Sequence, residues 1–313
     1  MGKLENLVKE RGEKIFIEFS GGCGNIPVIA VKGNSLAEAW ENSMLALYCY
    51  GKEVRTEYDR REKDGSFADP PSKDCTMRMI VETPGSEPFI HKAFPGGLED
   101  LEEYRQEVLE GSKDHWVRNS SDPEDKRWEY TYHERLFNYR LPQISQGVDQ
   151  INNIIEGLGK TPFSRRYQAI TWQPWQDLGI EDPPCLQSLW FRMLQDEEGK
   201  KVLNMNIRFR SRDAYDAAFM NCFALVLLQE KVALEIGKRI GEKVRLGRYV
   251  DESDSYHIYG KRFEDFEKRF ISQVFSRSFE DRTWTREFAE EFFKEARPKI
   301  AEKIALQDEK HRK

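Results

Sequence analysis

The most reactive candidate in the sequence is Cys185, which follows the run Asp182-Pro183-Pro184. Each proline locks its φ angle and removes a backbone donor, so the turn holds the thiol at a defined place. A thiolate is a strong nucleophile, and neighbouring arginines stabilise it by lowering the thiol pKa. Such arginines follow in the run Arg210-Ser211-Arg212-Asp213. The pattern therefore predicts nucleophilic chemistry beside an anion-binding site for a nucleotide.

Further polar groups extend this candidate site. Asn221 follows Asp213 by eight residues in an apolar stretch, where an amide must be hydrogen-bonded or costs about 1–3 kcal/mol. His257 and Tyr259 are two positions apart, so they share one face of a strand. Each of these residues alone is more typical of a structural role, as is a lone cysteine. Their combination with Cys185 favours a functional site.

Together, the Asp-Pro-Pro-Cys turn, the Arg-Ser-x-Asp run, the asparagine and the late His-x-Tyr resemble the thymidylate synthase superfamily, which includes the pyrimidine-nucleotide hydroxymethylases. The resemblance implies that Cys185 adds to C6 of a pyrimidine ring and makes C5 a carbon nucleophile. C5 would then attack the methylene group of 5,10-methylene-tetrahydrofolate. Covalent catalysis is needed because C5 alone is too weak a nucleophile.

The same resemblance implies a set of nucleotide contacts. Arg210 and Ser211 would hold the phosphate, for which a forked guanidinium and a hydroxyl are well suited. Asp213 would contact the base edge or its ordered waters. Asn221 would read O4 and N3 of uracil, whereas an aspartate at this position goes with cytosine. The sugar 3′ hydroxyl would be bound by the two residues of the late motif, His257 and Tyr259.

Three more basic residues have a place in this comparison. The pair Arg165-Arg166 precedes a strand ending at Trp172, as a family pair precedes a strand ending in Ala-Trp. In the family that pair reaches across a two-fold interface into the neighbour's phosphate site, which implies a homodimer with shared active sites. Lys73 lies where the family carries a phosphate-binding basic residue on a mobile loop. Without the resemblance, all three would be ordinary solvated side chains.

Two tracts, residues 95–111 and 130–136, resemble the archaeal branch of the family. In the second tract, Tyr132 is a candidate for organising water and proton transfer near C5. The family also needs a glutamate on the helix that ends at Gly111, to polarise O4 through water.

Two glutamates could supply that group. Glu103 and Glu107 lie one turn apart on the same helix face, and we take Glu103 as the first candidate. A strict register places Tyr104 at the family position instead. Glutamates on a helix surface are usually only solvated, so the sequence leaves the choice open.

Several departures from the family pattern leave alternatives for the reaction. Leu186 follows the cysteine where most members have histidine, and Ser255 stands where the motif would place aspartate. Residues 309–313 are charged, in place of a small apolar tail that closes over folate. Methylation of dUMP to dTMP is our first interpretation, and hydroxymethylation of dUMP, dCMP or CMP, in which water is not excluded, is the second. A tetrahydromethanopterin carrier and a non-catalytic nucleotide-binding regulator are further alternatives.

The sequence predicts an α/β fold, with the mixed sheet and buried central helix of thymidylate synthase. We expect one domain over residues 1–313, with a β-hairpin extension at 1–34 and a helical extension at 275–313. Capping and periodicity predict helices at about 35–51, 98–110, 214–236, 262–273 and 285–306. Alternating patterns predict strands at 75–82, 167–172, 186–195 and 201–211, a hairpin of 14–19 with 27–32, and a loop at 60–73.

Composition narrows the function classes. The 313 residues carry a net charge of -6, so no general affinity for nucleic acid is expected and the phosphate site must be a local arginine cluster. The start is charged and the longest apolar run is short, which favours a cytoplasmic protein that does not bind membranes. Five cysteines without paired spacing fit reduced thiols, and no metal-ligand spacing is present, so we expect no metal site.

Overall fold

The structure is a computed structural model, and it describes residues 2–18, 24–118, 125 and 127–311. The chain forms two compact units, each assembled from three segments. The first unit comprises Met1–Pro95, Asn206–Asn221 and Arg248–Thr285, and the second comprises Gly96–Met205, Cys222–Gly247 and Arg286–Lys313. Helices and a mixed sheet are both present, which confirms the predicted α/β class.

The helices lie close to the predicted ones where capping signals mark their ends. Ser35 caps the second helix by accepting from Glu38 N–H, and Gly111 ends the third in the left-handed conformation at φ 67°. In chain order the helices are α1 (Gly2–Glu10), α2 (Leu36–Tyr50), α3 (Leu98–Glu110), α4 (Tyr132–Phe137), α5 (Gln150–Lys160), α6 (Pro174–Asp177), α7 (Ala218–Ile240), α8 (Phe263–Phe266), α9 (Ser272–Ser276) and α10 (Arg286–His311).

The predicted start of the apolar helix α7 is wrong by one turn. The carboxylate of Asp213 accepts the N–H groups of Tyr215 at 3.0 Å and Asp216 at 2.8 Å. This side-chain cap folds the next residues into a turn, so the helix begins at Ala218 instead of Ala214. The correction places Asp213 in the turn that leads into α7.

Most strands of the first unit form a mixed sheet. β1 and β2 make the predicted antiparallel hairpin, β2 and β4 run parallel, and β4 and β12 run antiparallel. β3 pairs with β4, and β11 pairs in parallel with β12. The bounds of these strands are β1 (Ile15–Glu18), β2 (Val28–Gly33), β3 (Lys52–Val54), β4 (Ser72–Val81), β11 (Arg212–Asp213) and β12 (Arg245–Ile258), of which β12 begins in the second unit. β5 (Ile90–His91) and β13 (Thr283–Trp284) pair with each other in a separate two-stranded antiparallel sheet. Phe19 and the turn at 20–23 lie outside the described residues.

In the second unit, β8 pairs with β9 in antiparallel fashion and β6 forms a hairpin with β7. The bounds are β6 (Tyr139–Leu141), β7 (Ile144–Val148), β8 (Gln168–Ile170), β9 (Leu186–Gln195) and β10 (Lys201–Phe209), the last of which continues into the first unit. The alternation predicted for β10 is confirmed, since Leu203, Met205, Ile207 and Phe209 are buried. Within the described part of the chain, no helix has the length and apolar character needed to cross a membrane.

Candidate active site

Cys185 lies directly before β9, and the backbone N–H and carbonyl of the next residue, Leu186, are both hydrogen-bonded. The N–H of Leu186 donates to the hydroxyl of Tyr132 at 3.2 Å, and the carbonyl of Leu186 accepts from the hydroxyl of Thr171. The Pro183-Pro184 turn precedes the thiol, and Cys185 itself is half-buried. The predicted nucleophile is therefore held in a rigid backbone and is partly accessible.

Tyr132 begins α4, where Thr131 caps the helix, and its hydroxyl is thereby fixed next to the thiol-bearing residue. The ring of Tyr130 lies 5.6 Å from that of Tyr132. Burial raises the pKa of Tyr130, and Tyr132 and Cys185 raise it further. This phenol stays protonated at neutral pH. The pair thus places two phenol groups close to Cys185.

A buried arginine that sequence reasoning missed supports this arrangement. Arg135 on α4 is 0% exposed and forms a bidentate ion pair with Asp177, with contacts of 2.9 and 2.8 Å. It also donates to the carbonyl of Thr171 at 2.9 Å. Arg135 therefore joins α4, which carries Tyr132, to the residues that bind Leu186. No local pattern marks the pair, because its two members are 42 residues apart.

The glutamates of α3 differ in their contacts. Both oxygens of Glu103 are bound by lysines, Lys113 at 2.9 Å and Lys303 at 2.6 Å. Burial opposes its ionisation, but these lysines outweigh burial and lower the pKa of Glu103. Burial raises the pKa of Glu107, and Lys113 only partly offsets it. Glu103 is thus well explained as a structural carboxylate, whereas the charged form of Glu107 is less stabilised.

The pair Arg165-Arg166 is exposed and lies just before β8. The carbonyl of Arg165 accepts from the indole N–H of Trp190 at 3.0 Å, which fixes the backbone at this point. The guanidinium of Arg166 reaches the hydroxyl of Ser164 at 3.4 Å. Both charged side chains are therefore accessible on the surface of the second unit.

The first unit contains a polar cleft of about 280 Å³. Three residues predicted for phosphate and sugar binding lie together in its wall, and they are Ser211, His257 and Tyr259. Asp74, Ser255 and the segment from Val54 to Tyr58 complete the lining. Hydroxyl, imidazole and carboxylate groups converge here, which suits a ligand rich in hydroxyl groups.

Strand pairing brings these residues together. Asp74 on β4 lies directly opposite His257 on β12, and Asp213 on β11 is the partner of His257 on its other side. Arg210 and Ser211 follow β10, and the carbonyl of Arg210 accepts from the N–H of Ser255 at 3.3 Å. Residues far apart in sequence therefore meet at one end of the sheet.

Two ionisable groups in this region have shifted pKa values. Burial lowers the pKa of His257 to about 4, so its ring is neutral at physiological pH. Burial raises the pKa of Asp213 to about 6, while the N–H groups of Asp216 and Tyr215 favour its charged form. Asn221, in the first turn of α7, is 8% exposed, as the apolar surroundings predicted.

Two basic residues have other partners than a phosphate. Lys73 lies within β4, not on a loop, because the strand starts at Ser72, and it pairs with Glu53 at 3.2 Å. The predicted end of the loop at 60–73 is therefore wrong, because residues 72 and 73 belong to β4. Arg212, in the predicted arginine run, is 3% exposed and forms a buried bidentate pair with Asp251. Neither contact supports a role in phosphate binding.

Two tryptophans form an aromatic surface in the second unit. Trp128 is 41% exposed, and its ring packs edge-to-face on Trp116 at 5.2 Å. The indole N–H of Trp116 donates to Asp308 on α10 at 2.6 Å, which holds the pair in place. Among the described residues, no group of three potential metal ligands is present.

Comparison with known proteins agrees with these features. The profile of the family described as thymidylate synthase matches residues 100–280. A protein of Methanocaldococcus jannaschii named "Putative thymidylate synthase" is 30% identical over 251 residues, which cover 79% of this chain and 97% of that protein. A protein of the same name from Methanopyrus kandleri is 30% identical over 67% of this chain and 85% of its own length.

The fold agrees as well. The structure of thermostable thymidylate synthase A from Bacillus subtilis superposes with a TM-score of 0.53, at 18% identity, over 75% of this chain and 83% of that one. Sequence profile, relatives and fold lead to one conclusion. This chain belongs to the thymidylate synthase family.

Proposed function

We propose that the protein transfers a one-carbon unit to C5 of a pyrimidine nucleoside 5′-monophosphate, with dUMP as substrate and dTMP as product. The observation that carries this proposal is the polar cleft, where Ser211, His257 and Tyr259 converge. The resemblance to the family assigns these residues to a phosphate and a sugar. A nucleotide supplies both groups at once.

Cys185 is the proposed nucleophile. Its thiolate adds to C6 of the base, the C5–C6 π electrons move into an enolate over C5, C4 and O4, and a proton held near O4 stabilises that oxygen, so that C5 gains the electron density needed to form the new carbon–carbon bond. The rigid peptide of Leu186 supports this role, because it fixes the approach of the sulfur. Tyr132 and Glu107 would hold and move protons near the base, and Glu107 replaces Glu103 as our candidate.

The first unit would supply the nucleotide contacts. Arg210 and Ser211 would bind the phosphate, and Asp213 and Asn221 would recognise the uracil edge. The buried position of Asn221 supports base reading, since an amide offers both a donor and an acceptor to O4 and N3. The neutral ring of His257, with Tyr259, would bind the sugar.

Methylene-tetrahydrofolate, or a tetrahydromethanopterin analogue, would supply the one-carbon unit when bound. Trp128 would stack on its pterin ring, and Trp116 would support Trp128 from the side. Exclusion of water by this region would decide whether the product carries a methyl or a hydroxymethyl group. We further propose a homodimer in which Arg165 and Arg166 bind the phosphate in the neighbouring subunit, and their exposure supports this.

Product analysis tests the proposal. The protein is incubated with methylene-tetrahydrofolate and either dUMP, dCMP or CMP, and the nucleotides are analysed by mass spectrometry. We expect dTMP from dUMP. A hydroxymethylated product would instead identify the protein as a hydroxymethylase. Binding of dUMP without turnover, with methylene-tetrahydrofolate and also with the tetrahydromethanopterin analogue, would identify a regulatory protein.

A further inference from the structure

A carboxylate from a neighbouring strand stands beside His257. The resemblance to the family places an aspartate at position 255, but this chain has Ser255 there. Asp74 on β4 lies directly opposite His257 on β12, and side chains of directly opposed residues point to the same face of a sheet. The two oxygens of Asp74 each lie 3.0 Å from the hydroxyl of Ser255. The missing carboxylate is thus supplied from another strand.

The direction of each hydrogen bond follows from the chemistry of the three groups. A carboxylate can only accept, so the single O–H of Ser255 donates to Asp74. The oxygen of Ser255 then has only lone pairs to offer to Nδ1 of His257, which lies 3.3 Å away. Nδ1 must therefore carry the proton.

This arrangement determines what the other ring nitrogen can do. In a neutral imidazole with the proton on Nδ1, Nε2 is an acceptor. The ring is neutral because burial lowers the pKa of His257 to about 4, against the weaker opposing effect of Glu57. An acceptor in a cleft lined by Ser211 and Tyr259 suits a hydroxyl donor of the ligand.

We propose that Asp74 is a positioning residue of the sugar site, which acts through Ser255 to orient His257 so that Nε2 accepts a hydrogen bond from a sugar hydroxyl. The inference rests on the proposed function, in which His257 meets the sugar of the nucleotide. Asp74 itself touches Ser255 and does not need to touch the ligand.

A purely structural role explains Asp74 less well. Burial raises its pKa to about 6, although Ser255 and two backbone N–H groups favour the charged form. The folded state therefore disfavours the charge that Asp74 carries at neutral pH. A neutral residue at position 74 would serve strand pairing without this cost.

The test compares two nucleotides that differ in one hydroxyl. Dissociation constants are measured for dUMP and for 2′,3′-dideoxyuridine 5′-monophosphate, with wild type, Asp74→Asn and the control Asp254→Asn. Asp254 is also on β12, but it pairs with Arg208 at 3.0 Å and lies outside the cleft. We expect Asp74→Asn to weaken dUMP about fivefold, because an amide can donate to Ser255 as well as accept from it and so no longer fixes the direction of its hydroxyl, and to leave the dideoxy nucleotide and the control unchanged.

A second variant returns the carboxylate to β12. Asp74→Ser combined with Ser255→Asp should recover most of the dUMP affinity that Asp74→Ser alone loses. Equal weakening of both nucleotides by Asp74→Asn, or no weakening of dUMP, overturns the role of Asp74 while the proposed function stands. A wild type that binds no pyrimidine nucleotide overturns the proposed function itself, and this inference with it.

Discussion

At the level of single residues, the proposed reaction depends on Cys185 and on the groups proposed to contact the nucleotide. The Pro183-Pro184 turn and the peptide of Leu186 leave the sulfur little freedom. A nucleophile held in this way would act mainly in the transition state, while the proposed phosphate and sugar contacts would supply ground-state binding. Separate substitutions can therefore distinguish chemistry from binding.

Cys185→Ser is expected to abolish turnover and to leave nucleotide affinity within about threefold of wild type. Steady-state kinetics and direct binding measurements check the two expectations. Cys49→Ser is the matched control, because burial raises the pKa of Cys49 to about 11 and leaves it a neutral thiol. Normal turnover of Cys185→Ser would remove covalent catalysis from the account.

Asn221→Asp is expected to shift preference from uracil towards cytosine nucleotides, since a carboxyl group can meet the cytosine edge where the amide meets uracil. The ratio of kcat/KM for dUMP and dCMP measures the shift. Asn206→Asp serves as control, because Asn206 is exposed on β10. If the wild type already prefers dCMP, the assignment of Asn221 is wrong.

At the level of helices and strands, the sequence could predict features that depend on neighbouring residues. It could not predict features that depend on the pairing of distant residues. The ends of α2 and α3 follow from Ser35 and Gly111, because capping depends on neighbouring residues only. The position of Asp74 could not be predicted. It depends on the register between β4 and β12, whose partners Asp74 and His257 are far apart in the chain.

The ion pair between Arg135 and Asp177, which holds α4, also joins residues that are far apart in the sequence. Arg135→Ala would leave the charge of Asp177 buried and unpaired, so we expect a loss of about 3–5 kcal/mol in the free energy of unfolding. Arg208→Ala breaks the exposed pair with Asp254 and should cost under about 1 kcal/mol. Urea unfolding followed by circular dichroism compares the two variants. Similar losses for both would show that Arg135 does not hold α4 in place.

At the scale of the whole molecule, the proposed roles fall into two groups. The nucleophile and the aromatic surface belong to the second unit, and most nucleotide contacts belong to the first. The sequence predicted members of both groups, because its motifs are short and contiguous. It did not reveal the division into units, which follows from contacts among six chain segments.

Assembly provides a prediction at this scale. If Arg166 serves the neighbouring subunit, a mixture of Cys185→Ser and Arg166→Ala chains should regain activity, because some heterodimers then hold one complete site. Arg166→Ala alone should lose about 1.5–3 kcal/mol of phosphate binding. The recovered rate should follow the statistical fraction of heterodimers.

The control mixture combines Cys185→Ser with Cys185→Ala, which restores no site and should stay inactive. No recovery after confirmed subunit exchange, or an active monomer in sedimentation, would make Arg165 and Arg166 ordinary surface residues.

Trapping of the covalent intermediate tests whether Cys185 is the nucleophile. In 5-fluoro-dUMP the fluorine replaces the C5 proton that must leave, so attack by Cys185 should stop with the nucleotide still attached to sulfur. The protein is incubated with this nucleotide and methylene-tetrahydrofolate, digested, and analysed by peptide mass spectrometry. If Cys185 is the nucleophile, we expect one modified peptide, with the nucleotide on Cys185. Binding of the nucleotide without any adduct, or an adduct on a different cysteine, would contradict it.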